Sequence, residues 1–220
     1  VNVAVIIPCW NAGRLLQEAV ASVAAQTLQP TRIIVVDDGS TDGSAEAARA
    51  NPAVTVVRQS RSGPAVARNA GIAAAGADAD LFAFLDADDL WPPDSLSVRV
   101  AALREAGADG SFGVVEEFLD PVDLDRPVRP KSAARLPSAI LVTQEAVARV
   151  GEFDSSVGSG EGIDWVGRFD SAGLRWAEVA DVVLRRRIHG SNRSRGPEYS
   201  TRVGLLEVAR RSAARKRSAP

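Results

Sequence analysis

The 220-residue chain contains no methionine, a single cysteine and a single histidine, and each scarcity narrows what it can be. Cys9 has no partner for an intramolecular disulfide, which fits a reducing compartment. With 26 basic against 28 acidic residues and a net charge of −2, the chain has no global basic field to attract nucleic acid. No apolar run approaches the ~20 residues needed to span a bilayer, and no secretory signal is visible, so a cytoplasmic protein is expected. Because the sequence starts at Val1 and lacks Met, its initiator and a few leading residues are expected to be missing. Internal repeats are absent. What is present, 45% apolar and 25% charged residues, is enough to bury one sizeable core and argues against a second full domain.

Strand and helix patterns alternate along the chain. Residues 3–7 are mainly β-branched and stop at Pro8, and residues 14–27 set Leu15, Leu16, Ala19, Val20 and Val23 at helical spacing. Strands follow at 33–36, 54–57 and 81–85, with helices at 44–50 and 63–75 between them. Regular alternation with short connections predicts an α/β fold with a mostly parallel central sheet and helices on both faces, since right-handed crossovers leave few other topologies. The second half is less regular. It reads as helix 96–106, strand 110–118, a proline-rich charged loop over 120–137, strand 139–142, helix 144–150, a glycine-rich stretch 158–162, helix 163–172 and strand 177–187. After Pro197 an arginine-rich helix runs toward a basic tail.

The chemistry concentrates at two strand ends. Leu81-Phe82-Ala83-Phe84-Leu85 runs directly into Asp86-Ala87-Asp88-Asp89, and carboxylates so spaced suit a hard divalent cation that keeps open positions for substrate phosphates. The same residues also serve as strand-end punctuation, with Asp89 or Asp94 capping a helix. A second apolar run, Arg32 through Val36, likewise ends in acids, at Asp37-Asp38-Gly39-Ser40-Thr41-Asp42. In an open α/β sheet ligands occupy the crevice outside the carboxyl ends of the strands, so two acid-bearing ends describe one site better than two unrelated turns.

Four segments in order, Val5-Ile6-Ile7-Pro8-Cys9-Trp10-Asn11, Val35-Val36-Asp37-Asp38-Gly39-Ser40-Thr41-Asp42, Gly63-Pro64-Ala65-Val66-Ala67-Arg68-Asn69-Ala70-Gly71 and Phe84-Leu85-Asp86-Ala87-Asp88-Asp89, resemble the successive nucleotide-sugar motifs of family 2 glycosyltransferases. The likeness is strong over residues 3–97 and returns around Gly151-Glu152-Phe153-Asp154, residues 161–168 and Arg187-Ile188-His189-Gly190-Ser191-Asn192. It implies a GT-A fold, Rossmann-like, in a single domain over 1–197. Residues 1–97 would form the nucleotide-sugar half, 98–197 the acceptor half, and 198–220 a basic helix or tail.

The resemblance also implies a nucleotide-diphospho-sugar donor, UDP-linked in the first instance, Mn²⁺ or Mg²⁺, and inverting displacement onto a carbohydrate, lipid-carrier or other hydroxyl acceptor. Pro8, Trp10 and Asn11 would lie beside the base. Asp37 or Asp38 would accept hydrogen bonds from base or ribose. Asp42 serves equally as turn and cap chemistry. Arg68 would meet the nucleotide or the carboxylate cluster, or remain an ordinary surface arginine. Asp86, Ala87 and Asp88 form the DxD element, with Asp88 the expected metal ligand and Asp86 nearer the ribose or a metal-bound water. His189 would either join the metal or sit in a surface turn. Arg185, Arg186, Arg187, Arg193 and Arg195 beside it would clamp phosphate or an acidic acceptor, or be solvated.

The catalytic base is where the chain departs from the pattern it resembles. The usual Glu-Asp pair reads Glu161-Gly162 here, leaving Glu161 or Asp164 to take the proton. The departure motivates a rival reading, a nucleotide-sugar-binding module with weak or no turnover. A sugar nucleotidyltransferase ranks lower, because Pro8-Cys9-Trp10-Asn11 stands where a glycine-rich basic loop is expected. Trp165 and Trp176 are either sugar platforms or core. Residues 202–217 place Val203, Leu205, Leu206, Val208 and Ala209 on one side, so the helix would pack on the domain or lie on an anionic membrane.

Overall fold

The computed structural model describes residues 1–120 and 128–190. Its first half delivers the expected alternation: β1 (Val3–Cys9), α1 (Arg14–Ala24), β2 (Arg32–Asp37), α2 (Ser44–Ala48), β3 (Val54–Arg58), α3 (Pro64–Ala75) and β4 (Leu81–Phe84). The second half adds α4 (Ser95–Ala106), β5 (Gly110–Leu119), β6 (Ser132–Ala134), β7 (Leu141–Thr143), α5 (Gln144–Val150), α6 (Glu161–Ser171) and β8 (Trp176–Ile188). The sheet runs β3-β2-β1-β4-β7-β5-β6, with β8 paired in parallel to β5. Strands β1 to β4 are mutually parallel where they pair, whereas β7 is antiparallel to both β4 and β5. No helix among the described residues is long and apolar enough to cross a membrane.

Strand β1 is buried almost throughout, as a central strand covered on both faces must be. Its odd residues Val3, Val5 and Ile7 join a core with Leu16, Ala19, Val20 and Val23 of α1 and Leu96 and Val100 of α4. Its even residues Ala4 and Ile6 join Phe82, Trp165 and Phe169 on the opposite face. Helix α3 comes so close that a Cβ on Gly71 would lie 2.3 Å from Ile6 Cγ2, which explains its run of small residues.

The same strand opens the crevice. Ile6 O accepts from Leu85 N at 3.0 Å, and Cys9 O accepts from Asp38 N at 2.8 Å, so the backbone groups of even residues face β4 and those of odd residues β2. Pro8 therefore has no N–H to offer on the β4 side, and the β1–β4 pairing ends at Ile6–Phe84. Because β1 connects to β2 on one side and lies against β4 on the other, the crevice falls at the topological switch point.

Two elements differ from expectation. β6 lies inside the stretch 120–137 read as loop, and α6 begins at Glu161 rather than 163. A 3₁₀ segment, Ser155–Gly160, kinked at Gly158 with φ 64°, precedes α6 and is started by Asp154, whose Oδ1 accepts from Ser156 N at 2.8 Å. The loop segment 121–127, Arg193, Arg195, the Ser191-Asn192 end of the last motif and the basic segment 198–220 lie outside the described residues.

Candidate active site

A cavity of about 650 Å³ opens outside the carboxyl ends of β1, β2 and β4. It collects Pro8, Trp10, Asn11, Asp38, Arg68, Asp86, Ala87, Asp88, Glu161 and His189, although these residues are spread over most of the chain. Two candidates do not line it. Asp37 is fully buried at the end of β2, with Oδ1 accepting from Ser40 N at 2.8 Å and Oδ2 from Arg58 Nε at 2.9 Å. It braces the turn and leaves this wall of the cavity to Asp38. Asp164 is likewise enclosed, its Oδ2 2.8 Å from Arg168 Nε, and Arg168 reaches on to Val150 O and Glu152 O. This ion pair fastens α6 to the end of α5. The base candidate that faces the cavity is Glu161.

The side of the cavity at the ends of β1 and β2 is built from turn chemistry. Asn11 takes a left-handed φ of 47°, and its Oδ1 accepts from Thr41 N at 2.8 Å. Asp38 accepts from Ser62 N, Gln59 Nε2 and Gly63 N at 2.7–2.9 Å, so its carboxylate orders the loop entering α3. Trp10 is 41% exposed, with the Arg61 guanidinium 3.5 Å above its ring. Arg61 lines the cavity and was not legible in advance; Gln59-Ser60-Arg61-Ser62-Gly63 carries only the signature of a turn. Asp42 accepts from Gly13 N, Ser44 N and Ser44 Oγ. The turn and cap role expected for it is thus present, although it also touches the cavity.

At the centre, Arg68 is the one charged side chain on a buried helix face of small residues. Nη2 meets Asp86 Oδ1 at 2.7 Å and Nη1 meets Glu161 Oε1 at 3.0 Å. Burial pulls its pKa down, but the two carboxylates outweigh burial and the net direction is upward. Arg68 thereby joins the turn after β4 to the first residue of α6. Glu161 Oε2 is buried without a hydrogen-bond partner among the described residues.

Asp88 Oδ2 lies 3.0 Å from His189 Nε2, their side chains being 31% and 12% exposed. A carboxylate oxygen and an imidazole nitrogen on the cavity wall suit Mn²⁺, and a cation that keeps phosphate ligands needs few from the protein. Among the described residues no group of three or more His, Cys, Asp or Glu is arranged for a metal, so a cation there would take its remaining ligands from water or a bound molecule. Asp89 points away. Its Oδ1 accepts from Arg187 N at 2.9 Å, and burial, with Asp88 and Asp86 nearby, pushes its pKa well up.

Gly162 is spatially enforced. A Cβ there would lie 2.5 Å from Pro137 Cγ and 2.9 Å from its Cδ. Trp165 is core, stacked on Phe153 at 5.3 Å with Nε1 bonded to Gly151 O. Trp176 stacks on Phe169 and borders a separate hollow at the far end of β8, with Phe112 and Arg135. Of the arginines near His189, Arg186 lines the cavity, while Arg185 pairs with Glu116 and Arg187 with Glu18 and Asp120.

A family model described as glycosyl transferase family 2 matches residues 4–155. The succinoglycan biosynthesis protein ExoW of Rhizobium meliloti is 39% identical over 111 residues, 48% of this chain and 35% of that protein. Residues 1–349 of S. aureus TarS, solved with UDP-GlcNAc, superpose with a TM-score of 0.78 at 18% identity, covering 97% of this chain and 66% of that one. The mannosyltransferase PcManGT of Pyrobaculum calidifontis, solved with GDP-Man and Mn²⁺, gives 0.72 at 22% identity, covering 100% and 65%. These structural likenesses establish the α/β fold, and the chain spans about a third of the curated relative's length.

Proposed function

Because the chain belongs to glycosyl transferase family 2, we propose that it moves a sugar from a nucleotide-diphospho-sugar, UDP-linked in the first instance, to a carbohydrate, lipid-carrier or other hydroxyl acceptor, with Glu161 as general base. The observation that carries this reading is that Asp38, the Asp86-Ala87-Asp88 turn, His189 and Glu161 line one cavity. Asp38 and the Trp10–Arg61 stack bound the nucleoside end. Asp88 and His189 are the residues that would hold Mn²⁺ or Mg²⁺, whose charge, when bound, offsets the charge gathering on a departing diphosphate.

Arg68 holds Glu161 by Oε1; Oε2, buried and without a hydrogen-bond partner among the described residues, is the oxygen that would turn toward the cavity to receive the acceptor's proton. The acceptor oxygen then bonds to the anomeric carbon from the face opposite the diphosphate. The carbon–oxygen bond to the diphosphate breaks, and its electron pair leaves with the nucleoside diphosphate, inverting the centre. Glu161 supports this role better than Asp164, because the latter's carboxylate is turned into the α5–α6 contact.

The experiment is turnover and binding of UDP-GlcNAc, UDP-glucose and GDP-mannose with Mn²⁺, for the wild type and Glu161→Gln. A lost general base is expected to lower kcat by about 10²–10⁴-fold while the UDP Kd moves by less than about threefold. The contact between Gly162 and Pro137 favours a second reading, a binding module without turnover, because it closes the position where the family usually carries its base. Affinity without release of nucleoside diphosphate in the wild type would establish that module. Absence of nucleotide binding under every condition would sink both readings.

A further inference from the structure

The end of β8 is tied to the turn after β4 by backbone as well as side-chain bonds. Leu90 and Arg185 exchange N–H···O bonds of 3.0 and 2.8 Å, an isolated antiparallel bridge outside the main ladders. Two residues further along, Arg187 N donates to Asp89 Oδ1 at 2.9 Å and Arg187 Nε donates to Asp88 O at 3.0 Å. Asp89 is 4% and Arg187 5% exposed, so neither is a surface charge that drifted into contact. The Arg187 side chain is held from behind by Glu18 Oε2 at 2.5 Å. Two residues beyond Arg187, His189 reaches Asp88 Oδ2.

We propose that Asp89 and Arg187 are positioning residues that fix the Asp88–His189 spacing and so set the affinity of the cavity for a divalent cation with a nucleoside diphosphate. The proposal rests on the glycosyltransferase reading of the same cavity. The physical reason is that Asp88 and His189 come from segments about a hundred residues apart, so their spacing depends on the ties between those segments, of which the Leu90–Arg185 bridge sets the strand and the Asp89 and Arg187 bonds lie nearest the pair. Arg187 pins the main chain of one ligand by its carbonyl. Asp89, next to that ligand, pins the strand that carries the other. The two ties are independent, because Asp89 binds the backbone of residue 187 and not its guanidinium. Burying ionisable side chains is costly, and sites of this kind tolerate misplacement of only about 0.5 Å.

The test is calorimetric titration of UDP into wild type, Asp89→Ala, Asp89→Asn and Arg187→Met, each with Mn²⁺ and with chelator, alongside thermal unfolding. Loss of groups that orient metal ligands is expected to weaken the Mn²⁺-dependent part of binding by about 10–100-fold in Asp89→Ala and Arg187→Met. Binding in chelator should stay at the wild-type level. Asp89→Asn keeps an acceptor for the residue 187 N–H and should remain within about threefold of wild type. Folded variants with wild-type Mn²⁺ dependence overturn the proposal, as does an equal loss in both arms, which marks a merely structural role. If Asp89→Ala does not fold, Arg187→Met decides. A wild type that binds no UDP in either arm refutes the parent reading, and this inference with it.

Discussion

Adding one methyl group at Gly162 tests whether packing against Pro137 enforces glycine at this position. The new Cβ would stand 2.5 Å from Pro137 Cγ, far inside contact distance, and Pro137 cannot easily retreat. The next residue, Ser138, receives Asp86 N on its hydroxyl at 3.0 Å and Trp91 Nε1 on its carbonyl at 2.9 Å, so a shift of this turn would disturb the cavity wall. Overpacking of this kind costs about 1–3 kcal/mol, and the better helix propensity of alanine returns at most about 1 kcal/mol. Gly162→Ala should therefore destabilise by about 1–2 kcal/mol, a fall in Tm of roughly 2–8 °C. Pro137→Ala removes the opposing ring atoms, and in that background the same change should be neutral or slightly stabilising. Urea denaturation of the four chains of this cycle should show a coupling of about 1–2 kcal/mol, and additivity within about 0.5 kcal/mol would refute the steric account.

Asp164→Asn removes the charge from the contact with Arg168 and should cost about 1–3 kcal/mol of stability while leaving kcat near wild type. A hundredfold loss of kcat at unchanged stability would instead return the base to Asp164. For Asp42, burial pushes the pKa up, but hydrogen bonds from Ser44 and Gly13 outweigh it and the net direction is downward. A depressed carboxylate stabilises the fold above its unfolded pKa of about 3.9 and loses that contribution as pH falls through the folded value. The stability gap between wild type and Asp42→Ala should accordingly narrow as pH is lowered from 7 toward 3 in denaturant titrations; a constant gap would contradict it.

The central strands were legible because they are nearly continuous apolar runs, the mark of strands covered on both faces. β6 was not, since Ser-Ala-Ala has no β-branched residue and pairs only because β5 offers it an edge. The start of α6 was hidden by Gly158, Gly160 and Gly162; Gly158 does turn the chain, with φ 64°, but the helix begins three residues later with Gly162 already inside it. Within the site, residues that follow strand ends directly, such as Asp38, Asp86 and Asp88, could be found by position alone. Which of Asp37 and Asp38 faces the cavity depends on Arg58 arriving from β3, and which of Glu161 and Asp164 faces it depends on the rotation of α6 about its axis. Asp89 and Arg187, 98 residues apart, carry no local signal of their bond.

The proline that ends the β1–β4 ladder has a kinetic consequence. In a parallel sheet the next rung after Ile6–Phe84 would require an N–H from residue 8, and that hydrogen does not exist. The two central strands thus cannot zip together in the resting protein, however often thermal motion brings them close. A ligand entering between these strands would meet a seam that is already parted and would have no β1–β4 hydrogen bond to break beyond Ile6–Phe84.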